Sequence, residues 1–255
     1  MYQRLKSSKI VLASIGLFFT FMMTMTGISQ TFSSHNSDFA LNLGLTIAFL
    51  VLTVLLVKYL YKTITANRSA KLYTTYILSH RKVALQDLAH IAKKDISVVT
   101  QEVGKLIEDK VNEIINNNIN SSMNDIEKIK VIHDYIINNA NYDTSLEKLK
   151  YSKADDVLLY RRGICSSYTD AMSIFLNRFN INNYKIASEE HVWNLVYLNN
   201  NWLHLDLTWD DPVNENGKDI LDYNYYLITT KKLKEIDNSK SHRFNKDFYL
   251  ELKES

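Results

Sequence analysis

The sequence has very little cysteine and no strong excess of charge of either sign. Cys165 is the only cysteine among 255 residues, and 30 basic residues face 28 acidic ones, which gives a net charge of +2. A single cysteine excludes an intrachain disulfide and agrees with a reducing compartment. The balanced charge produces no strong field, so bulk electrostatics make nucleic acid an unlikely partner. The chain also lacks a glycine-rich phosphate loop, a paired-cysteine zinc motif and an internal repeat.

Charge is also missing from two long apolar segments near the N-terminus. Residues 10–28 and 39–57 contain no charged side chain, and each is long enough to cross a bilayer as a helix. We therefore predict that residues 1–62 form a membrane anchor in the lipid bilayer, with two transmembrane helices at about 10–28 and 39–57.

Basic residues around these segments predict their orientation. The connection 28–39 has no lysine or arginine, whereas the outer flanks carry Arg4, Lys6 and Lys9 before the first segment and Lys58, Lys62, Arg68 and Lys71 after the second. The positive-inside rule then predicts a multi-pass protein of the cell membrane with both ends in the cytoplasm. If the first segment were a cleaved signal peptide, the second would act as a stop-transfer helix and the soluble part would still end inside. The soluble part would lie outside only if one segment failed to insert.

Residues 63–116 predict a small helical, winged-helix-like linker domain. Apolar periodicity indicates three short helices, over about 72–77, 85–91 and 98–107. The third helix would contact DNA in such a unit, but this helix and the residues just after it carry Glu102, Glu108 and Asp109 against Lys105 and Lys110, which makes a poor phosphate-binding surface. Only residues 111–115 could form a wing strand. A structural or protein-docking role is therefore favoured.

The asparagine- and serine-rich run 116–122 predicts a domain boundary, because such residues favour turns. We expect the last domain to cover residues 122–255. Its first helix is predicted to start near Asn124, with Glu127 completing a capping box, and to run to about Asn138.

Cys165 follows a glycine-led turn, Arg162-Gly163-Ile164, and opens an amphipathic helix. Apolar residues recur at helical spacing after it, at Tyr168, Ala171, Met172, Phe175, Leu176 and Phe179. The unpaired amides and the macrodipole at a helix N-terminus favour a thiolate over a thiol. This placement is typical of a nucleophile.

A hairpin brings His191 and Asp206 together. Two strand-like segments are separated by Asn199-Asn200, and asparagine tolerates the positive φ of a two-residue turn. If Leu198 faces Asn201, paired residue numbers sum to 399, which places His191 opposite Thr208 and Asp206 opposite Trp193. The two side chains then share one face of the sheet as diagonal neighbours. A three-residue turn would put them on opposite faces.

Cysteine, histidine and carboxylate are the parts of a thiol acyl-transfer site. Cys165 would attack an amide or ester carbonyl, His191 would move the proton, and Asp206 would hold the imidazole in the useful tautomer. The backbone amide of Cys165 is the expected oxyanion donor.

Three segments around these residues match a known pattern. Gly163 to Cys165, His191 to Asn194 and Trp202 to Asp211 resemble the Gly-Val-Cys, His-Ala-Trp-Asn and Trp-Tyr-x-x-Asp-Pro-Thr-Trp-Asp-Asp motifs of the transglutaminase-like superfamily. Weaker support comes from residues 132–135, 141–143 and 222–227. The resemblance implies an α+β, papain-like core in which a helix carries Cys165, an antiparallel sheet carries His191 and Asp206, and these three form the catalytic triad.

Two segments depart from the family pattern without removing a reacting group. Ser167-Tyr168-Thr169 stands where the family has Gly-Tyr-Ala, and Leu207 stands where it has proline. The superfamily includes protein cross-linkers, peptidases, deglycosylating amidases and inactive binding modules, so the substrate stays open.

These features together predict a membrane-tethered, cysteine-dependent acyl-transfer enzyme that acts on amide bonds of a protein or peptide substrate. Hydrolysis is favoured over transamidation, because nothing in the sequence visibly excludes water. The alternative is a catalytically inactive membrane adaptor that binds a protein partner.

No cofactor or metal is expected. The adjacent carboxylates of Asp210 and Asp211 are more typical of a turn cap than of a cation site. Glu189 and Glu190, just before His191, could favour a cationic or amine substrate at the rim of the cleft.

Overall fold

The computed structural model is a mixed helix and strand fold that agrees with the predicted α+β class. It describes residues 2–33, 39–79, 84–143, 153–212, 221–237, 239–245, 247–249 and 252. By contacts, the chain divides into two compact units: Met1–Tyr76 with Val83–Val103, and Ile77–Lys82 with Gly104–Ser255.

The described residues of the first unit form helices with short connections and no strand. Its helices are α1 (Tyr2–Ser33), α2 (Phe39–Ser79), α3 (Leu85–Ala92) and the first part of α4 (Ile96–Asn118). Two of them are long and apolar enough to cross a membrane, over Lys9–Thr31 with a mean hydropathy of 1.8 and over Phe39–Tyr76 with a mean hydropathy of 2.5.

Helix α2 continues well beyond the predicted apolar segment. The expectation of a separate short helix over 72–77 is wrong, because no glycine or proline interrupts the chain between residues 57 and 79. Near its end, Tyr73 donates to Glu102 Oε2 at 2.6 Å, and Lys94 donates to Glu102 Oε1 at 2.6 Å. The predicted second helix is α3. Residues 111–115, the candidate wing strand, lie in α4.

The second unit contains the remaining helices and all the described strands. In chain order these are α5 (Asp125–Asn139), β1 (Asn141–Tyr142), α6 (Ala154–Tyr160), β2 (Arg162–Gly163), α7 (Cys165–Arg178), β3 (Asn183–Ala187), β4 (Val192–Leu198), β5 (Asn201–Leu205), α8 (Thr230–Ile236) and a 3-10 helix (Lys240–His242). The start of α5 confirms the predicted capping box, since Asn124 accepts from the Glu127 amide at 3.0 Å and Glu127 accepts from the Asn124 amide at 2.8 Å.

Helix α7 lies at the centre of the main hydrophobic core. The predicted apolar face is buried, with Tyr168, Ala171, Met172, Phe175 and Leu176 all inaccessible to solvent. These side chains pack against α4, α5, α6 and the hairpin through Ile114, Ile129, Ile136, Val157, Val196 and Leu205. Burial of this face fixes the orientation of α7, and with it the position of Cys165.

The three-stranded sheet has the order β3-β4-β5, with both pairs antiparallel. A second cluster covers part of it, formed by Ile186, Trp193, Leu195, Leu233 and Leu252. The C-terminal segment therefore packs on the strand that begins directly after His191.

Candidate active site

Cys165 is the first residue of α7, as predicted. It is partly exposed, and Ile164 before it is extended, with φ of −114° and ψ of −178°. The turn is tight at Gly163, where an added Cβ would lie 2.6 Å from the Ser167 Cβ and 2.9 Å from Val157 Cγ2. Glycine is therefore required for the chain to enter the helix with the thiol at its N-terminal end.

The hairpin has the predicted register. Leu198 pairs with Asn201 and Asn194 pairs with Leu205, and both turn residues, Asn199 and Asn200, have positive φ, at 50° and 62°. The ladder ends at the pair of Asn194 with Leu205, and the amide of Asp206 donates to the carbonyl of Tyr225 at 3.1 Å. The expected strand pairs beyond it, of His191 with Thr208 and of Asp206 with Trp193, are absent from this ladder.

The side chains of His191 and Asp206 nevertheless meet. His191 Nε2 lies 2.6 Å from Asp206 Oδ2, and the two side chains are only 7% and 2% exposed. His191 also lies parallel to the indole of Trp193, with the ring centres 5.6 Å apart. With Nε2 engaged by the carboxylate, the other ring nitrogen, Nδ1, is left for Cys165.

Both Asp206 and Cys165 change the pKa of His191. Burial alone lowers the pKa of His191, but the charge and hydrogen bond of Asp206, joined by those of Cys165, raise it to about 10. Burial acts on Asp206 in the opposite sense, and the charge of His191 overcomes it and lowers the pKa of Asp206 to about 2. The arrangement therefore stabilises an imidazolium beside Cys165 and a carboxylate behind it.

Every lone-pair direction of the Asp206 carboxylate has a donor. Oδ1 accepts from the amides of Thr208 at 3.0 Å and Trp209 at 3.3 Å. Oδ2 lies 2.6 Å from His191 and 2.9 Å from Nε2 of His242. A buried carboxylate that receives this many donors stays ionised and fixed in orientation.

His242 also contacts this site, although no sequence motif predicted it. It lies in the C-terminal 3-10 helix, and its Nδ1 forms a hydrogen bond with Asp237. No periodicity or motif around residue 242 marks this role, since the contact depends on how the C-terminal segment packs.

A cavity of about 600 Å³ opens beside the thiol. Its lining includes Cys165, His191, Tyr142, Trp209, Glu190 and Asp211. Glu190 therefore lies at the cleft, where the sequence predicted an acidic rim.

Asp210 and Asp211 both have protein partners. Asp210 accepts from the Tyr225 amide at 2.8 Å and lies 3.1 Å from His133 Nε2, while Asp211 accepts from the Tyr168 hydroxyl at 2.7 Å. Burial raises the pKa of Asp210. These contacts join the segment after β5 to α5 and α7, which agrees with a structural role for the two carboxylates.

His191, Asp206 and His242 are also the types of residue that bind a metal, and their ligand atoms lie within 4.8 Å of one another. Two ligands of a tetrahedral zinc ion, at bonds of about 2.1 Å, would lie about 3.3 Å apart. The observed contacts of 2.6 and 2.9 Å are shorter and have the length of hydrogen bonds. The group fits a hydrogen-bonded network better than a metal site.

Comparison with known proteins identifies the family of this region. Residues 113–207 match the model of the transglutaminase-like superfamily. The chain therefore carries a transglutaminase-like domain over these residues, in agreement with the resemblance of its motifs. A comparison with curated proteins finds no match.

Solved structures with similar folds include two described as enzymes. One is a TGase, with 16% identity and a TM-score of 0.40, where the match covers 61% of this chain and 54% of the other. Another is assigned as a cysteine protease from Cytophaga hutchinsonii, with 19% identity and a TM-score of 0.34, where the match covers 48% of this chain and 45% of the other. The chain thus spans about half the length of these two structures.

Proposed function

We propose that this protein is a membrane-tethered, cysteine-dependent acyl-transfer enzyme that hydrolyses amide bonds of a protein or peptide substrate. Cys165, His191 and Asp206 are its catalytic triad. The observation that carries the proposal is the 2.6 Å contact between His191 and a fully buried Asp206, with Cys165 at the start of α7 as the other partner of the imidazole.

The first half-reaction forms an acyl-enzyme. The Cys165 thiolate attacks the carbonyl carbon, and the negative charge moves to the carbonyl oxygen. The oxyanion accepts a hydrogen bond from the Cys165 backbone amide. This amide lies in the first turn of α7, where backbone amides have no partner within the helix. The C–N bond then breaks while His191 Nδ1 donates its proton to the leaving amine, and a thioester remains on Cys165.

The second half-reaction returns the thiol. His191, now neutral, accepts a proton from water at Nδ1, and the hydroxide attacks the thioester carbonyl. Collapse of the intermediate releases a carboxylic acid and restores the ion pair of thiolate and imidazolium. The cavity of about 600 Å³ beside Cys165 leaves room for the water that this half-reaction requires.

The two apolar helices would tether this domain to the membrane. Basic residues flank them on the outer sides only, so we propose a multi-pass arrangement with the catalytic domain on the cytoplasmic side. We also propose the organisation in three parts: an anchor in 1–62, a small helical linker in 63–116, whose candidate wing residues are helical, and a catalytic domain in 122–255.

Peptide turnover tests the proposal. The purified full chain is incubated with a peptide mixture from a proteome digest and a biotinylated primary amine, with Cys165→Ala as the control. Mass spectrometry separates new peptide termini and converted glutamines, which report hydrolysis, from amine adducts, which report transamidation.

Hydrolysis that depends on Cys165 supports the proposal, and a predominance of amine adducts would replace hydrolysis by transamidation. Absence of any product or acyl adduct that depends on Cys165 would instead support the inactive adaptor.

A further inference from the structure

His242 lies between two carboxylates at the rear of the proposed triad. Its Nε2 is 2.9 Å from Asp206 Oδ2, and its Nδ1 forms a hydrogen bond with Asp237. The His242 and Asp206 side chains are 1% and 2% exposed, and Asp237 is 9% exposed. The network therefore runs from Cys165 through His191 and Asp206 to His242 and Asp237.

The carboxylates of Asp206 and Asp237 determine which atom donates in the two hydrogen bonds of His242. An ionised carboxylate only accepts, so both ring nitrogens of His242 donate, as in an imidazolium. His191 and His242 both contribute to a lowered pKa of Asp206, and His242 contributes to a lowered pKa of Asp237. The rings of Tyr225, Trp193 and Trp209 lie next to the His242 ring, at centre distances of 5.0, 4.9 and 4.8 Å, and the His191 ring lies at 5.4 Å.

His191 and His242 share one oxygen of Asp206. Because both donate to Oδ2, a rotation of the carboxylate that breaks one contact also disturbs the other. Without the His242 donor, Oδ2 of the buried Asp206 carboxylate would keep only His191 as a partner, so the ionised form would be less stabilised and less fixed in orientation. A protonated or rotated Asp206 would no longer hold the imidazolium of His191.

We propose that His242, held by Asp237, is a positioning residue that keeps Asp206 ionised and oriented toward His191. This inference rests on the proposed function, because His242 acts on the reaction only through the Asp206 and His191 pair.

Alkylation of Cys165 by iodoacetamide tests the inference in the full chain without knowledge of the substrate. The rate is measured between about pH 5 and 9 for the wild type, His242→Leu and His242→Gln, each in the natural and in the Asp206→Asn background. Glutamine retains an N–H donor near the position of Nε2, so His242→Gln is the conservative variant. Thermal unfolding of each variant identifies losses that come from instability.

We expect His242→Leu to slow alkylation near pH 7 by about tenfold or more, and His242→Gln to remain within about threefold of the wild type. In the Asp206→Asn background, His242→Leu should have little further effect, because the two residues act in one pathway. If His242→Leu fails to fold, Asp237→Asn replaces it and should give a smaller loss that Asp206→Asn also removes.

Each other result has a distinct meaning. Losses that multiply in the double variant, or a His242→Leu rate equal to the wild type, would overturn the inference and leave the proposed function standing. A wild-type rate equal to that of free cysteine and unchanged in His191→Ala would overturn both.

Discussion

The hydroxyl of Thr169 lies 3.0 Å from the carbonyl of Val192 and 2.8 Å from the carbonyl of Cys165. One hydroxyl proton is therefore shared between the helix that carries the thiol and the strand residue next to His191. Thr169 is one of the positions where the sequence departs from the family pattern, and this contact gives the departure a structural role. Asn194 adds a second connection, since its amide donates to Ser173 Oγ at 2.8 Å.

Thr169→Val should weaken the connection between α7 and β4. The variant keeps the shape of the side chain but leaves the partly buried Val192 carbonyl without this donor, at a cost of about 1–3 kcal/mol in the free energy of unfolding. Alkylation of Cys165 should also slow, because the thiol and the imidazole lose alignment. Thr169→Ser retains the hydroxyl and serves as the control, and equal stability of the two variants would contradict the role given to the hydrogen bond.

The topology of the membrane anchor can be tested in cells. We expect the protein to fractionate with membranes and a C-terminal tag to survive protease added to intact cells, because basic residues flank the two apolar helices only on their outer sides. Permeabilised cells, in which the tag should be degraded, are the control. Loss of the tag in intact cells would place the catalytic domain outside.

The contact between His191 and Asp206 could be predicted because it depends on one local choice. The two asparagines at residues 199 and 200 fix the turn, the turn fixes the register, and the register puts both residues near one end of the hairpin. The sequence also contained the capping box of α5 and the apolar face of α7, because these are periodic or local patterns.

His242 and the length of α2 show where local patterns stop being informative. His242 reaches Asp206 over 36 residues of sequence through packing of the C-terminal segment, which no periodicity encodes. Apolar periodicity over 72–77 indicates a helix but does not say whether that helix is new or a continuation, and here α2 continues to Ser79. Both features depend on tertiary contacts or on the absence of a break rather than on a positive signal.

Asp206→Asn should retain the fold and lower any Cys165-dependent turnover by orders of magnitude, as loss of a triad carboxylate does. An amide carries no negative charge, so it stabilises the imidazolium of His191 less than the carboxylate does. Alkylation and peptide turnover, compared at matched thermal stability, measure the effect.

Thr208→Val is the matched control for Asp206→Asn. The Thr208 hydroxyl lines the cavity but is buried without a hydrogen-bond partner among the described residues. Its removal should leave stability unchanged or higher and activity within about threefold. A comparable loss in both variants would argue against the specific role of Asp206.

Gly163→Ala should displace the start of α7. The added Cβ would lie 2.6 Å from the Ser167 Cβ and 2.8 Å from its Oγ, so the turn before Cys165 has to shift, at about 1–3 kcal/mol in the free energy of unfolding. Gly104→Ala is the control, because an added Cβ there meets no atom within 4 Å and should stabilise α4 by about 0.5–1 kcal/mol. Thermal unfolding compares the two, and a stable Gly163→Ala variant with a normal alkylation rate would contradict the crowded turn.

The stability that His191 contributes should depend on pH in one direction. Its pKa is about 10 in the folded chain and near ~6.5 when unfolded, so its contribution is complete below about pH 6.5 and is lost as the pH rises toward 10. Asp206 behaves in the opposite sense: with a folded pKa of about 2, its contribution is complete above about pH 3.9 and is lost as the pH falls toward 2. Between about pH 4 and 6.5 the pair should therefore stabilise the fold most.

His191→Gln isolates this effect, because glutamine does not titrate. The difference in unfolding free energy between the wild type and His191→Gln, followed by tryptophan fluorescence of the solubilised full chain, should shrink steadily from pH 6.5 to 10. In the Asp206→Asn background the same comparison should lose most of its pH dependence, since the charge of Asp206 is the largest contribution that raises the pKa of His191. A difference that stays constant across this range in the natural background would mean that His191 is not held as an imidazolium, and the ion pair proposed for the resting enzyme would then be wrong.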